Sequence, residues 1–377
     1  MDFLVRASQG WCEMRSRLAL HAFVCIGAWL VLMLVNNSVE PLMSYYLALV
    51  AMYATAMFGM VILVGLSGQV SLGNGAIMAV GAYVFALSYQ RWNAVISMLL
   101  AGLAGVVFGL LLGIVGARLR GPYLAGLTLA FAVGIPAIAN RFPSILGGED
   151  GLKVPAPNIS VAEVTQEPTY DESSLDQFLT DPSSAGAAPD PTPTVQTFDT
   201  SPLDPGSFVL EHWQASVAIA VACIVGFVAL NLVRGRQGLE WQAVRDDPVA
   251  ASVVGISPAN TKVTAFVVSS LFAALAGGVF AQILSFVGPG AFGLKLSLAL
   301  LVGVVLGGRT SLVGALIGAV IVVWLPELVG SLGSGWNDQV ANNVPNFVYG
   351  LLVVAVVVFA PSGITGLVTQ LRSFRQR

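Results

Sequence analysis

Apolar residues along this chain come in long runs rather than in alternation. Read at the helical period, a run must hold about 20 residues to cross a hydrocarbon core. Runs of that kind lie at 18–35, 42–64, 71–90, 94–117, 122–140, 213–233, 263–286, 290–308, 311–329 and 345–361. They predict an all-α polytopic membrane protein with ten transmembrane helices, some of them broken by glycine. The first run follows Arg6, Arg15 and Arg17, and no small-residue cleavage pattern succeeds it. It is therefore expected to stay as an anchor.

Charge then assigns sides to the runs. With the N-terminus inside, thirteen of the 17 Lys and Arg residues fall on cytoplasmic segments, and Arg91, Arg141, Lys153 and Lys295 fall outside. Such a bias predicts that both termini are cytoplasmic. Only 10% of the 377 residues are charged and 56% are hydrophobic, the balance of a chain solvated by lipid. Cys12, Cys25 and Cys223 have no ligand spacing, so neither a disulfide framework nor a zinc site is expected. His21 and His212 stand near the ends of runs, and a catalytic or metal role is expected for neither.

The expected organisation is a cytoplasmic segment 1–17, five spans over 18–140, an extracytoplasmic segment 141–212, five spans over 213–361 and a basic tail 362–377. Segment 141–212 carries twelve carboxylates against two cations, Arg141 and Lys153, and many prolines. It has too little apolar surface to offset its ordering entropy and is expected to be disordered. A docking surface for an external partner with basic patches is the alternative.

Two stretches break the lipid-soluble pattern. The first is GRQGLEWQAVRDDPVAASVVGI, residues 235–256, within an expected cytoplasmic segment 234–262. Asp247 followed by Pro248 is a helix start, with Asp as N-cap and Pro at the first position. Gly255 suits a helix stop. Two short helices bent at Asp247 follow, with Leu239, Ala243 and Val244 expected on one face. A compact knob with an apolar face and charged flanks fits a groove on another protein. The alternative is a helix lying on lipid, where Asp246 and Asp247 would meet repulsion from anionic headgroups.

The second stretch is GLSGQVSLGNGA, residues 65–76, with four glycines and the polar side chains Ser67, Gln69, Ser71 and Asn74. Irregular backbone at membrane depth is tolerated where it lines a cavity or is buried in protein. Transporters build midplane sites from such broken helices. A tight cytoplasmic turn with small-residue packing is the alternative. GPYLAGLTLAF (121–131) repeats the theme, with a Pro at a helix start and Gly126 and Thr128 on a packing face. Gln282 in FAALAGGVFAQ (272–282) is polar within a run and should face protein or water. Glu327, after Pro326, is either intramembrane or interfacial.

No phosphate-binding G-x-x-x-x-G-K-[ST] loop occurs, nor a Ser/His/Asp, H-E-x-x-H or paired-Cys pattern. With no engine of its own and a cytoplasmic knob, the chain reads as a subunit driven by a separate motor. A stand-alone channel or secondary carrier, and a membrane-embedded enzyme or assembly factor, are the competing classes.

GLSGQVSLGNGAIMAVGAY, ARLRGPYLAGLTLAFAVGI, the 235–256 stretch with TKVTAFVVSSLFAALAGGVFA after it, and FGLKLSLALLVGVVLGGRTSLVGALIGAVIVVWLPELV together resemble the branched-chain amino-acid permease family of bacterial ABC transporters, in particular the second of its two membrane subunits. The likeness covers most of 42–150 and 213–366. It implies an importer in the bacterial cytoplasmic membrane, with a sister permease, two ATPase subunits, an extracytoplasmic substrate-binding protein and surrounding lipid as partners, and no nucleic acid. It also implies no enzyme activity and no cofactor in this chain, ATP being used by the partners. By the same resemblance Gly238 to Gly255 transmit ATPase closure. Arg245, Asp246 and Asp247 are its polar contacts, Ala243, Val244 and Ala251 its packing, and Pro248 and Gly255 its punctuation. Ser71, Asn74, Tyr123, Thr128 and Gln282 would line the path. The chain departs from the family in its long acidic 149–207 insertion and in carrying Asn74 where many relatives have His. Urea and short-chain amides therefore stay open as substrates.

Overall fold

Nine of the ten expected runs fall wholly or largely on residues that the computed structural model describes, namely 21–119, 122–155, 210–332, 350 and 363–366. All nine are helical. The expected span 345–361, both terminal segments and residues 156–209 of the acidic insertion lie outside the described residues.

In chain order the helices are α1 (His21–Ser38), α2 (Pro41–Met60), α3 (Asn74–Tyr89), α4 (Ala94–Arg118), α5 (Pro122–Arg141), α6 (Leu210–Arg234), α7 (Arg236–Asp246), α8 (Pro248–Val253), α9 (Pro258–Leu284), α10 (Leu294–Gly307) and α11 (Leu312–Leu332). Among the described residues, seven helical stretches are long and apolar enough to cross a membrane, and α3 and α11 are shorter apolar helices. The protein is thus an all-α polytopic membrane protein. These helices belong to one unit, made of chain on either side of residues 156–210.

α9 is the hub, packing on α4, α3 and α2. Hydrocarbon gives no hydrophobic drive between helices, so close van der Waals contact must hold them. Small residues permit it. Gly102, Gly105, Gly109, Gly113 and Gly116 form one stripe on α4, at steps of three and four. A Cβ on Gly105 would lie 2.5 Å from Ala274 Cβ, and one on Gly109 would lie 2.6 Å from Ser270 Cβ. The stripe brings α4 against the Val263–Leu275 stretch of α9. Bulk returns at Met52, Met57, Phe85, Phe266 and Phe272, all fully buried.

Two sequence expectations are corrected here. The run 71–90 becomes helix only from Asn74. Ahead of it α2 ends in a π-helical turn, Val61–Leu66. In that turn Ser67 N–H reaches back to Ile62 O at 2.9 Å and Gln69 N–H to Leu63 O at 3.0 Å. Four glycines deny residues 65–75 the propensity to continue one helix into the next. The second correction concerns the start of the acidic insertion, which is ordered. A helical turn at Pro143–Leu146 and a 3-10 turn at Gly148–Asp150 lead into strand β1 (Leu152–Lys153). β1 pairs antiparallel with β2 (Phe286–Val287), Leu152 opposite Val287. This bridge satisfies backbone groups at the C-terminal end of α9 that acidic composition did not reveal.

Both histidines make hydrogen bonds between helices. His21 is buried between Asn231 Oδ1 and Arg234 Nη1, each at 2.9 Å. His212 Nδ1 lies 2.9 Å from Ser44 Oγ. They fasten α1 and α2 to α6. Cys25 and Cys223 are free thiols.

Candidate functional site

A helix start buried in protein must find partners for its first N–H groups. α3 begins with Gly73 as N-cap, which has no side chain to offer. Hydroxyls from neighbouring elements take over. Gly75 N–H donates to Ser297 Oγ of α10 at 3.0 Å, and Gly73 N–H to Ser71 Oγ at 3.3 Å. Leu72 N–H donates to Thr128 Oγ1 of α5 at 3.0 Å. Asn74 Nδ2 donates to Ser269 Oγ of α9 at 3.3 Å, and Ser71 Oγ donates to Asn74 Oδ1 at 3.5 Å. Ser71, Asn74, Thr128, Ser269 and Ser297 have no exposed surface. A Cβ on Gly75 would sit 2.6 Å from Ser297 Oγ, so only glycine allows this approach without displacement. The result is a closed hydroxyl–amide cluster that joins four helices at the start of α3.

Of the residues expected along a path, Ser71, Asn74 and Thr128 meet in this cluster. Ser269 and Ser297 belong to it too, and their only sequence signal was a hydroxyl inside an apolar run. Tyr123 does not join. It stands 74% exposed on another face of α5. Gln282 does not join either. It lies thirteen residues from Ser269 along α9, about 20 Å at 1.5 Å per residue. There it is buried with both amide atoms unpartnered. It lines a mostly apolar cavity of about 550 Å³ between α1, α4, α6 and α9, with Met98, Trp213 and Ser216 among its neighbours.

The charged stretch is two helices bent at Asp247. Asp247 Oδ1 accepts from Val249 N–H at 2.8 Å and from Ala250 N–H at 3.0 Å, Pro248 opens α8, and Gly255 turns the chain at φ 87°. The faces differ from the sequence expectation. Gly238, Trp241 and Val244 are buried, together with Ala251 of α8, and Ala243 is half-buried. Leu239 is 66% exposed, as are Val249, Val253 and Val254 to greater degrees. Leu239 and Val244 are five positions apart, about 140° around a helix, so they cannot share a face. Trp241, absent from the sequence expectation, anchors the pair to α9. Its Nε1–H donates to Thr264 Oγ1 at 3.2 Å and its ring is fully buried.

Arg245 turns back toward the helix bundle. Nη1 donates to Gly65 O at 2.6 Å, while Nε and Nη2 donate to Asp246 Oδ1 at 3.0 and 2.9 Å. Among the described residues no group of His, Cys, Asp and Glu could hold a metal ion.

A bundle of apolar helices built on small-residue contacts, with a broken pair whose polar start is buried and a helical pair fastened to its end, is the make-up of a multi-pass membrane protein, and transporters build sites from such broken helices. The sequence comparisons give the family. Residues 42–357 match the family described as branched-chain amino acid transport system / permease component, and the chain belongs to it. It is 30% identical over 365 residues to the high-affinity branched-chain amino acid transport system permease protein LivM of Salmonella typhimurium, covering 96% of this chain and 77% of the relative. Against LivM of Escherichia coli K12 it is 31% identical over 319 residues, covering 84% and 68%. The autoinducer 2 import system permease protein LsrC of Escherichia coli O9:H4 is 32% identical over 144 residues, 36% of this chain and 40% of that one. No solved structure matches.

Proposed function

We propose that this chain is the permease subunit of an ATP-binding-cassette importer for branched-chain amino acids or similar small polar solutes. It pairs with a sister permease in the bacterial cytoplasmic membrane. Separate ATPase subunits drive it, and an extracytoplasmic binding protein feeds it. It holds no cofactor and hydrolyses nothing itself. The family membership and the LivM likeness support the permease role and the substrate class. The charge bias supports ten spans with both termini in the cytoplasm.

The observation that carries the motor-driven reading is the α7–α8 pair. Trp241 and Val244 hold it to the bundle, yet Leu239, Val249, Val253 and Val254 stay exposed. Exposed apolar area beside charged Asp246 and Asp247 is the signature of a docking face. Replacing Val249 and Val253 together by Glu is expected to abolish co-purification of co-expressed ATPase subunits while the permease stays folded by size exclusion. Unchanged capture would remove this face from the docking role.

A further inference from the structure

We infer that Arg245 is a positioning residue through which movement of the α7–α8 pair reaches the buried hydroxyl–amide cluster. The inference rests on the permease reading above and deepens it.

The guanidinium is tied back into the chain, with its side chain 32% exposed. All of its recorded donors are engaged within the chain, one on Gly65 O and two on Asp246 Oδ1. Gly65 lies in the π-helical turn that ends α2, and carbonyls at a helix end need partners from outside the helix. A charge-assisted bond to that carbonyl is stronger than a neutral one. Asp246 fixes the plane of the fork from the other side, so the contact has a direction as well as a charge. The stem is held too. Gly68 has φ +70°, and a Cβ there would lie 2.6 Å from Arg245 Cγ. Anything larger than hydrogen at position 68 would therefore press on the Arg245 stem.

From this contact the chain runs without helix from Ser67 to Gly73 and enters the cluster at Asn74. The two ends of this strap differ. At one end Arg245 grips it. At the other, Leu72 and Gly73 hang on the hydroxyls of Thr128 and Ser71. The strap has no continuous helical ladder of its own, so these contacts set its position. The apolar docking face is formed by other residues of the same helical pair. A partner pushing on Leu239, Val249 and Val253 would thus move Arg245, and Arg245 would move the strap.

The test uses the full complex, with the ATPase subunits and sister permease of the proposed importer in nanodiscs, and its binding protein loaded with leucine. In Arg245→Gln the capture of ATPase subunits should stay unchanged and the Tm should fall by no more than a few degrees. Stimulation of ATP hydrolysis by the loaded binding protein should fall about tenfold, the scale of one lost charge-assisted bond. Arg245→Lys, which keeps the charge and one donor toward Gly65, should restore part of it. Gly68→Ala should reproduce the Gln defect from the strap side. Unchanged stimulation in both Arg245→Gln and Gly68→Ala overturns the inference. So does loss of ATPase capture in Arg245→Gln, which would make Arg245 a docking contact. If Arg245→Gln does not fold, the Lys and Gly68→Ala variants decide. If the wild-type complex shows no capture or no stimulation, the permease reading fails. Amide hydrogen exchange over 67–73 then still tests the grip, since exchange no faster in Arg245→Gln would overturn it.

Discussion

At the scale of single residues, the start of α3 shows how little room a buried polar contact leaves. Gly75 and Ser297 are fitted to one another: the amide needs the hydroxyl, and the hydroxyl needs the missing Cβ. Gly75→Ala should cost about 1–3 kcal/mol through overpacking. Ser297→Ala should cost about 1–3 kcal/mol by stranding the Gly75 N–H. Because each change relieves part of the other's fault, the double variant should cost less than the sum, and thermal unfolding in detergent would show it. Strict additivity would mean that the contact does not form. Ser71, Asn74 and Thr128 were legible in the sequence because polar side chains inside apolar runs need partners. Which partners was not legible. Ser269 and Ser297 look like any helical serine until α9 and α10 are placed against α3. The family resemblance gave Arg245 as a polar contact of the ATPase-coupling stretch; that its guanidinium reaches Gly65 O was not legible, because only the fold places the end of α2 beside it.

At the scale of elements, the helices were legible because a 20-residue apolar run in lipid has few alternatives to helix. The α4 glycine stripe then decides where two of them meet. Gly109→Leu should block the approach of α4 to α9 and lower the yield of folded protein. Gly126→Leu is the control, since a Cβ there meets nothing within 4 Å, and it should fold normally. Fluorescence-detected size exclusion separates the two outcomes; equal yields would show that the stripe is not a packing seam. The π turn at Val61–Leu66 left no readable mark, because winding at a helix end is set by what packs against Gly65 and not by local propensity. The α7–α8 pair was read correctly as two helices, from Asp247, Pro248 and Gly255, but its faces were not. Trp241 is the fully buried anchor. Trp241→Ala should cost about 3–5 kcal/mol or release the pair, which would speed limited proteolysis between 235 and 257. Unaltered cleavage would mean that the pair is held by other contacts.

At the scale of the molecule, α9 ties the parts together. It carries Ser269 of the cluster, the Thr264 partner of Trp241 and the floor of the α4 stripe, and β2 follows it in the bridge to Leu152. That centrality was not legible, because α9 as a sequence is one apolar run among several. The family was legible, since its signature stretches survive along most of the chain. The reading of the proposed assembly rests on the α7–α8 pair, where Leu239, Val249 and Val253 stay exposed. The central claim, that a separate motor turns this helical pair, is tested most directly by leucine accumulation in sealed proteoliposomes. With both permeases, the binding protein and leucine present, internal leucine should exceed external leucine only when ATPase subunits and ATP are added. Accumulation against the gradient by the permeases alone would contradict the account.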